Sequence, residues 1–96
     1  MLDNASEAAN LLKSLANDKR LVILCELLNG ERSVGELEKT VGLSQSALSQ
    51  HLAKLRHNSL VKTRRESQVI FYSVSDPNVV RVLSVLHDIY CATDKA

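Results

Sequence analysis

Ser44, Gln45, Ser46, Ser49 and Gln50 put hydroxyl and carboxamide side chains into one short run, followed by His51. These are the groups that donate to and accept from base edges. Lys39, Lys54, Arg56, Lys62, Arg64 and Arg65 surround the run, in a window from position 39 to position 65 that contains no Asp or Glu. Guanidinium and ammonium groups hold phosphates, whereas amides and hydroxyls read bases. The remainder of the chain has the opposite sign, six Lys and Arg against all 11 Asp and Glu, a net charge of −5 beneath a formal total of +1. The middle of the chain therefore carries a polyanion-binding face, and its pairing of phosphate ligands with base-edge ligands reads as a DNA-binding module. The other groups capable of chemistry are two thiols, Cys25 and Cys91.

Capping and turn signals on either side give the polar run its setting. Ser33-Val34-Gly35-Glu36 has the capping-box pattern and opens a short helix to about Thr40. Val41-Gly42-Leu43 is a tight turn with glycine available for a positive φ. Ser44 then caps a longer helix with Ala47, Leu48, Leu52 and Leu55 inward. Two helices joined by a Gly-containing turn form a helix-turn-helix, whose second helix enters the major groove N-terminus first. Ser44, Gln45, Ser46, Ser49 and Gln50 are thus the expected base-facing residues, with His51 expected in a DNA role on the same helix and Lys54 and Arg56 nearer the phosphates. From Leu60 to Val74 the pattern changes to β-formers flanking Arg65-Glu66-Ser67-Gln68, a hairpin wing. Arg64, Arg65 and Gln68 are expected at its tip, reaching the minor groove or flanking backbone.

Upstream, Asn4 or Ser6 caps a first helix to about Ala16, with Ala8, Ala9, Leu11, Leu12 and Leu15 apolar. Asp18 caps a second, with Leu21, Leu24, Cys25 and Leu28 at i, i+3, i+4, i+7, which places Cys25 on the core face. Asp76-Pro77 starts a last helix with apolar residues on most sides. The expected fold is mainly α with a β-hairpin wing, a winged helix-turn-helix of five helices and a two-stranded wing, in a single domain over residues 1–96. A chain of 96 residues that is 45% hydrophobic buries only about 60 to 65% of its unfolded surface, so a second subunit is the expected cover. The N-terminus lacks signal-peptide features and no apolar run is membrane-spanning in length, so a cytoplasmic location, no membrane partner and reduced thiols are expected. No Ser/His/Asp or Cys/His constellation and no phosphate-cradling glycine loop is evident, which argues against an enzyme. No cofactor is implied. By residue type alone Cys25 reads either as core filler or as a reactive thiol. His87 and Cys91, at i, i+4, joined by Cys25, form an alternative set of metal ligands.

Three segments carry a resemblance to a known family: Leu15 to Leu21, Ser33 to Leu37, and Leu43 to Leu55. Together they resemble the ArsR/SmtB family over about Leu11 to Cys91. The resemblance implies a homodimeric winged helix-turn-helix repressor, dimerised through its first and last helices, that binds an inverted-repeat operator in double-stranded DNA and releases it to an inducer. Metal sensing in many relatives uses cysteines in a segment that here runs from Glu31 to Leu37 and holds none. A second metal site of the family is broken as well, since Asp76 remains but Asn78, Ile89 and Ala92 replace its other ligands. What remains is the pair Cys25 and Cys91, which resembles the dithiol branch of the family. The branch implies a redox sensor, with an intrachain disulfide or polysulfide link formed when a reactive sulfur species or oxidant arrives. It also leaves open an antirepressor that activates genes with the same DNA binding.

Overall fold

The structure, a computed structural model, describes residues 2–90. After a single 3-10 turn at Leu2–Asn4, the chain runs α1 (Ala5–Leu15), α2 (Asp18–Leu28), β1 (Arg32–Ser33), α3 (Val34–Val41), α4 (Gln45–His57), β2 (Val61–Glu66), β3 (Val69–Val74) and α5 (Pro77–Tyr90). The helix-turn-helix is α3 and α4, and the wing is the antiparallel pair β2 and β3. The wing has one strand more than the sequence suggested, because β1 pairs with β3 to give the order β1-β3-β2. A two-residue strand is too short to show a period.

Local chemistry sets the boundaries. At the start of α3, Ser33 Oγ accepts from the Glu36 backbone N–H at 3.2 Å while Glu36 Oε1 accepts from the Ser33 N–H at 2.9 Å, the reciprocal box read from the sequence. Gly42 ends α3 at φ +75°, where a side chain would strain the backbone. Ser44 Oγ accepts from Ala47 N–H at 3.2 Å and starts α4. The cap of α2 is Asn17 and not Asp18: Asn17 Oδ1 accepts from the N–H of both Lys19 and Arg20, at 2.9 and 3.1 Å. Asn17 is extended, as an N-cap must be, and Asp18 is already helical.

The core is aliphatic. Leu15, Ile23, Leu24, Leu27, Leu37, Val41, Leu48, Leu52, Leu55, Leu60, Val61, Val79 and Leu83 are buried, and no polar or charged residue among the described ones is buried with them. The inward stripe of α2 is therefore Ile23, Leu24 and Leu27, and Cys25 is exposed in this chain, which corrects its expected place on the core face. Leu21 to Cys25 is continuously apolar, so the helical period alone could not fix which side turns inward. In α5, Val79 and Leu83 are buried while Val80, Val85 and Ile89 are exposed.

Leu52, 1% exposed on α4, tests how far this helix depends on the core. Leu52→Ala should cost about 2 to 5 kcal/mol of unfolding free energy through lost transfer and cavity terms, measured by denaturant unfolding.

Candidate nucleic-acid interface

The rotation of α4 about its axis is fixed by its buried stripe of Leu48, Leu52 and Leu55. The opposite side, with Gln45, Ser46, Ser49, Gln50, Ala53, Lys54, Arg56 and His57, is exposed, and His51 lies half-buried at its margin. No acidic residue enters the first turn of α4, while Lys54, Arg56 and His57 sit in the last turn, where cations complement the helix dipole. Ser44 is exposed, but its hydroxyl is committed to the cap, so a base contact from it competes with the first turn of the helix.

The wing stands beside this surface. Strand alternation and the cross-strand register put Arg65 on the same side as Ile70, and Thr63 on the same side as Tyr72. Tyr72 lines a depression with Val34, Ser49, Leu52, Ala53, Arg56 and His57, so this side of the wing faces α4. A second groove, about 520 Å³, has Gln45 and Ser49 of α4 on one wall and Gln68, Val69, Ile70 and Tyr72 on the other. The fold thus brings Gln45, Ser49 and Gln68 to one groove.

Arg64 behaves differently. The hairpin turn is Ser67-Gln68, with Ser67 at φ +56°, and Arg64 lies back from it on the wing face opposite Arg65. Its Nε donates to Glu31 Oε2 at 3.0 Å and its Nη2 to Glu31 Oε1 at 2.7 Å. Its Nη1 donates to Glu66 Oε2 at 2.8 Å, and the guanidinium carbon sits 4.7 Å from the centre of the Phe71 ring. The expected tip position is corrected: Arg64 is a partnered residue on the back of the wing. The fork of hydrogen bonds from Arg64 holds the Glu31 carboxyl below its ordinary value, and Glu31 and Glu66 hold the Arg64 guanidinium firmly protonated. The capping bonds from Ser33 likewise lower Glu36. Sequence reasoning missed Glu31 entirely, since no local pattern links positions 31 and 64; only the three-stranded sheet makes them neighbours.

The thiol lies away from this surface. Cys25 shares an apolar cavity of about 450 Å³ with Leu21 of α2 and with Leu83, Leu86, His87 and Tyr90 of α5. Cys91, the expected second sulfur, lies outside the described residues. Among the described residues no three His, Cys, Asp or Glu side chains cluster to hold a metal ion, and of the alternative metal set only Cys25 and His87 are seen to line one cavity. No helix among the described residues is long and apolar enough to cross a membrane.

A helix-turn-helix with an acid-free reading helix and a hairpin wing beside it defines a winged-helix DNA-binding module. Residues 17–63 match the arsR family of bacterial regulatory proteins, and the chain belongs to that family. It is similar to the transcriptional activator HlyU of Vibrio cholerae, 50% identical over 99% of this chain and 88% of that one. It is also similar to the biofilm growth-associated repressor of Xylella fastidiosa, 43% identical over 99% of this chain and 83% of that one. A solved structure of reduced HlyU from Vibrio cholerae superposes with a TM-score of 0.90 at 53% identity, covering 95% of this chain and 96% of that one. The chain is a transcriptional regulator and not an enzyme.

The two lowered carboxyls make an acid prediction. A carboxyl whose folded pKa is depressed contributes stability that is complete above its unfolded value and is lost as pH falls through the folded value. Unfolding free energy should therefore be insensitive to these groups above their ordinary value of 4.5 and decline below it. Glu31→Gln should remove part of that decline in an acid titration followed by circular dichroism; an unchanged acid profile would contradict the Glu31 to Arg64 assignment.

Proposed function

We propose that the chain is a repressor that binds an inverted-repeat operator as a homodimer and leaves it when Cys25 and Cys91 react with a persulfide, polysulfide or oxidant. The observation that carries the proposal is the cavity that sets Cys25 of α2 against Leu83, Leu86, His87 and Tyr90 of α5, one residue short of Cys91 in sequence. Dimerisation through α1 and α5 is supported by the apolar residues these helices expose, with Leu12 59%, Val85 58% and Ile89 56% accessible. Burial in a partner would remove that surface from water.

In this reading Gln45, Ser46, Ser49, Gln50 and His51 face bases, Ser44 and the cationic Lys54 and Arg56 address the backbone, and Arg65 and Gln68 reach it from the wing. Arg64, which the sequence alone places among the DNA contacts, is already occupied by two carboxylates. For the switch, one cysteine thiolate attacks a sulfur of the polysulfide, forming a mixed disulfide and expelling the remainder as a thiolate. The second thiolate then displaces the bound fragment. The two cysteines together lose two electrons and two protons, and the donor is reduced by the same amount. Where the first cysteine retains two or more donor sulfurs as Cys–S–S–SR, attack of the second thiolate on the sulfur next to the cysteine sulfur expels RS⁻ and leaves a trisulfide bridge instead.

Either product ties α2 to the end of the last helix. Because α2 packs on both α3 and α4 and α5 belongs to the proposed dimer contact, such a tie changes the spacing of two reading helices that must match half-sites about 34 to 36 Å apart. An equilibrium shifted by about 3 kcal/mol weakens DNA binding roughly a hundredfold. A second reading rests on the similarity to HlyU, a transcriptional activator: the same DNA binding would then displace a silencing protein and activate genes.

The test is intact mass after a polysulfide donor, paired with a gel shift before and after dithiothreitol. The expected result is a link between Cys25 and Cys91 that releases DNA reversibly, with Cys25→Ser still binding DNA but ignoring the donor. Release of DNA from Cys25→Ser by the donor would overturn the thiol switch.

A further inference from the structure

Arg64 has the charge and the wing position of a phosphate ligand, yet its surroundings assign it another task. Its guanidinium is held by Glu31 from one side and Glu66 from another and stacks on Phe71. Contact with a phosphate would require it to leave two carboxylates and an aromatic face. By strand alternation Lys62 shares this side of the wing, so two cations meet two anions and the cluster offers a polyanion no net attraction. Arg65, on the α4 side, has no ion pair among those seen in the described residues.

Glu31 is what gives the cluster its consequence. It directly precedes β1, whose Arg32 and Ser33 pair with Tyr72 and Phe71 of β3, and Ser33 is also the cap of α3. One short stretch, 31–33, therefore holds the wing through Arg64 and starts the helix-turn-helix through Ser33. Gly30 before it, at φ +134°, adopts a backbone conformation that a side chain would strain, so the approach of this stretch to the sheet depends on glycine.

We propose that Arg64 is a positioning residue, locked by Glu31, that sets the angle of the wing against α4 from behind and does not touch DNA. The proposal rests on the DNA-binding reading of α4 and the wing and deepens it, by separating the residue that aims the wing from Arg65, which contacts the backbone.

The experiment measures binding to a random-sequence duplex from low to physiological salt for the wild type, Arg64→Lys, Arg64→Ala, Glu31→Ala, the Arg64→Ala/Glu31→Ala double variant and Arg65→Ala. Arg65→Ala should flatten the salt slope by about one unit, the counterion release of one phosphate contact. Arg64→Ala and Glu31→Ala should each weaken binding by about three- to fivefold, the most an exposed ion pair transmits, with the slope unchanged. The double variant should be no weaker than either single one, because both remove the same lock. Arg64→Lys keeps the charge but loses the fork and the stacking, and should fail to restore affinity. Three results would overturn the assignment: a flatter slope in Arg64→Ala, full rescue by Arg64→Lys, or tighter binding by Glu31→Ala as it frees a cation for phosphate. A wild-type chain that bound no duplex even at low salt would overturn the DNA reading itself and this assignment with it.

Discussion

Burial of Leu48, Leu52 and Leu55 along one side of α4 is the constraint on which the rest of the molecule depends. Side chains three and four apart lie on one face of a helix, so committing these leucines to the core leaves Gln45, Ser46, Ser49 and Gln50 no place but outside. The stripe also requires something to pack against, and the aliphatic residues of α2, α3 and α5 in the same core supply it, with no polar or charged residue buried beside them among the described residues. The proposed function is the complement of packing: the side of α4 assigned to DNA is the one that the core does not use.

The wing extends the same logic to a sheet. Alternation along β2 and β3 gives it two faces. One carries Ile70, Tyr72 and Arg65 towards α4; the other carries the Glu31, Arg64 and Glu66 cluster over Phe71. Adjacent arginines at 64 and 65 consequently meet opposite environments, one ion-paired and one turned to the groove side. The short strand β1 makes this possible by bringing Glu31 across the sheet while Ser33 caps α3, so the aim of the wing and the start of the helix-turn-helix share one covalent stretch.

Much of this was readable from the chain because its signals are local. The capping box at Ser33 and Glu36, the positive-φ glycine at position 42 and the Ser44 cap each act within four residues, and each appears where the residues place it. The exposure of Gln45, Ser46, Ser49 and Gln50 on α4 follows from helical spacing once the leucine stripe is seen. The failures have equally specific causes. Asn17 and Asp18 are both competent caps, and only backbone geometry separates them. Cys25 sits in an unbroken apolar run whose period fits two rotations of α2, and the structure adopts the one that turns Cys25 towards α5. The partnership of Arg64 with Glu31 spans two strand pairings and leaves no trace at short range.

The proposed DNA-binding surface joins the exposed side of α4 to the neighbouring wing. Amide chemical-shift mapping during titration with duplex DNA tests it most directly. The largest shifts should fall at Gln45, Ser46, Ser49 and Gln50 and at the Ser67-Gln68 turn, with the Arg64 side-chain Nε–H unmoved. Shifts concentrated on α1 and α5, with α4 unchanged, would contradict it.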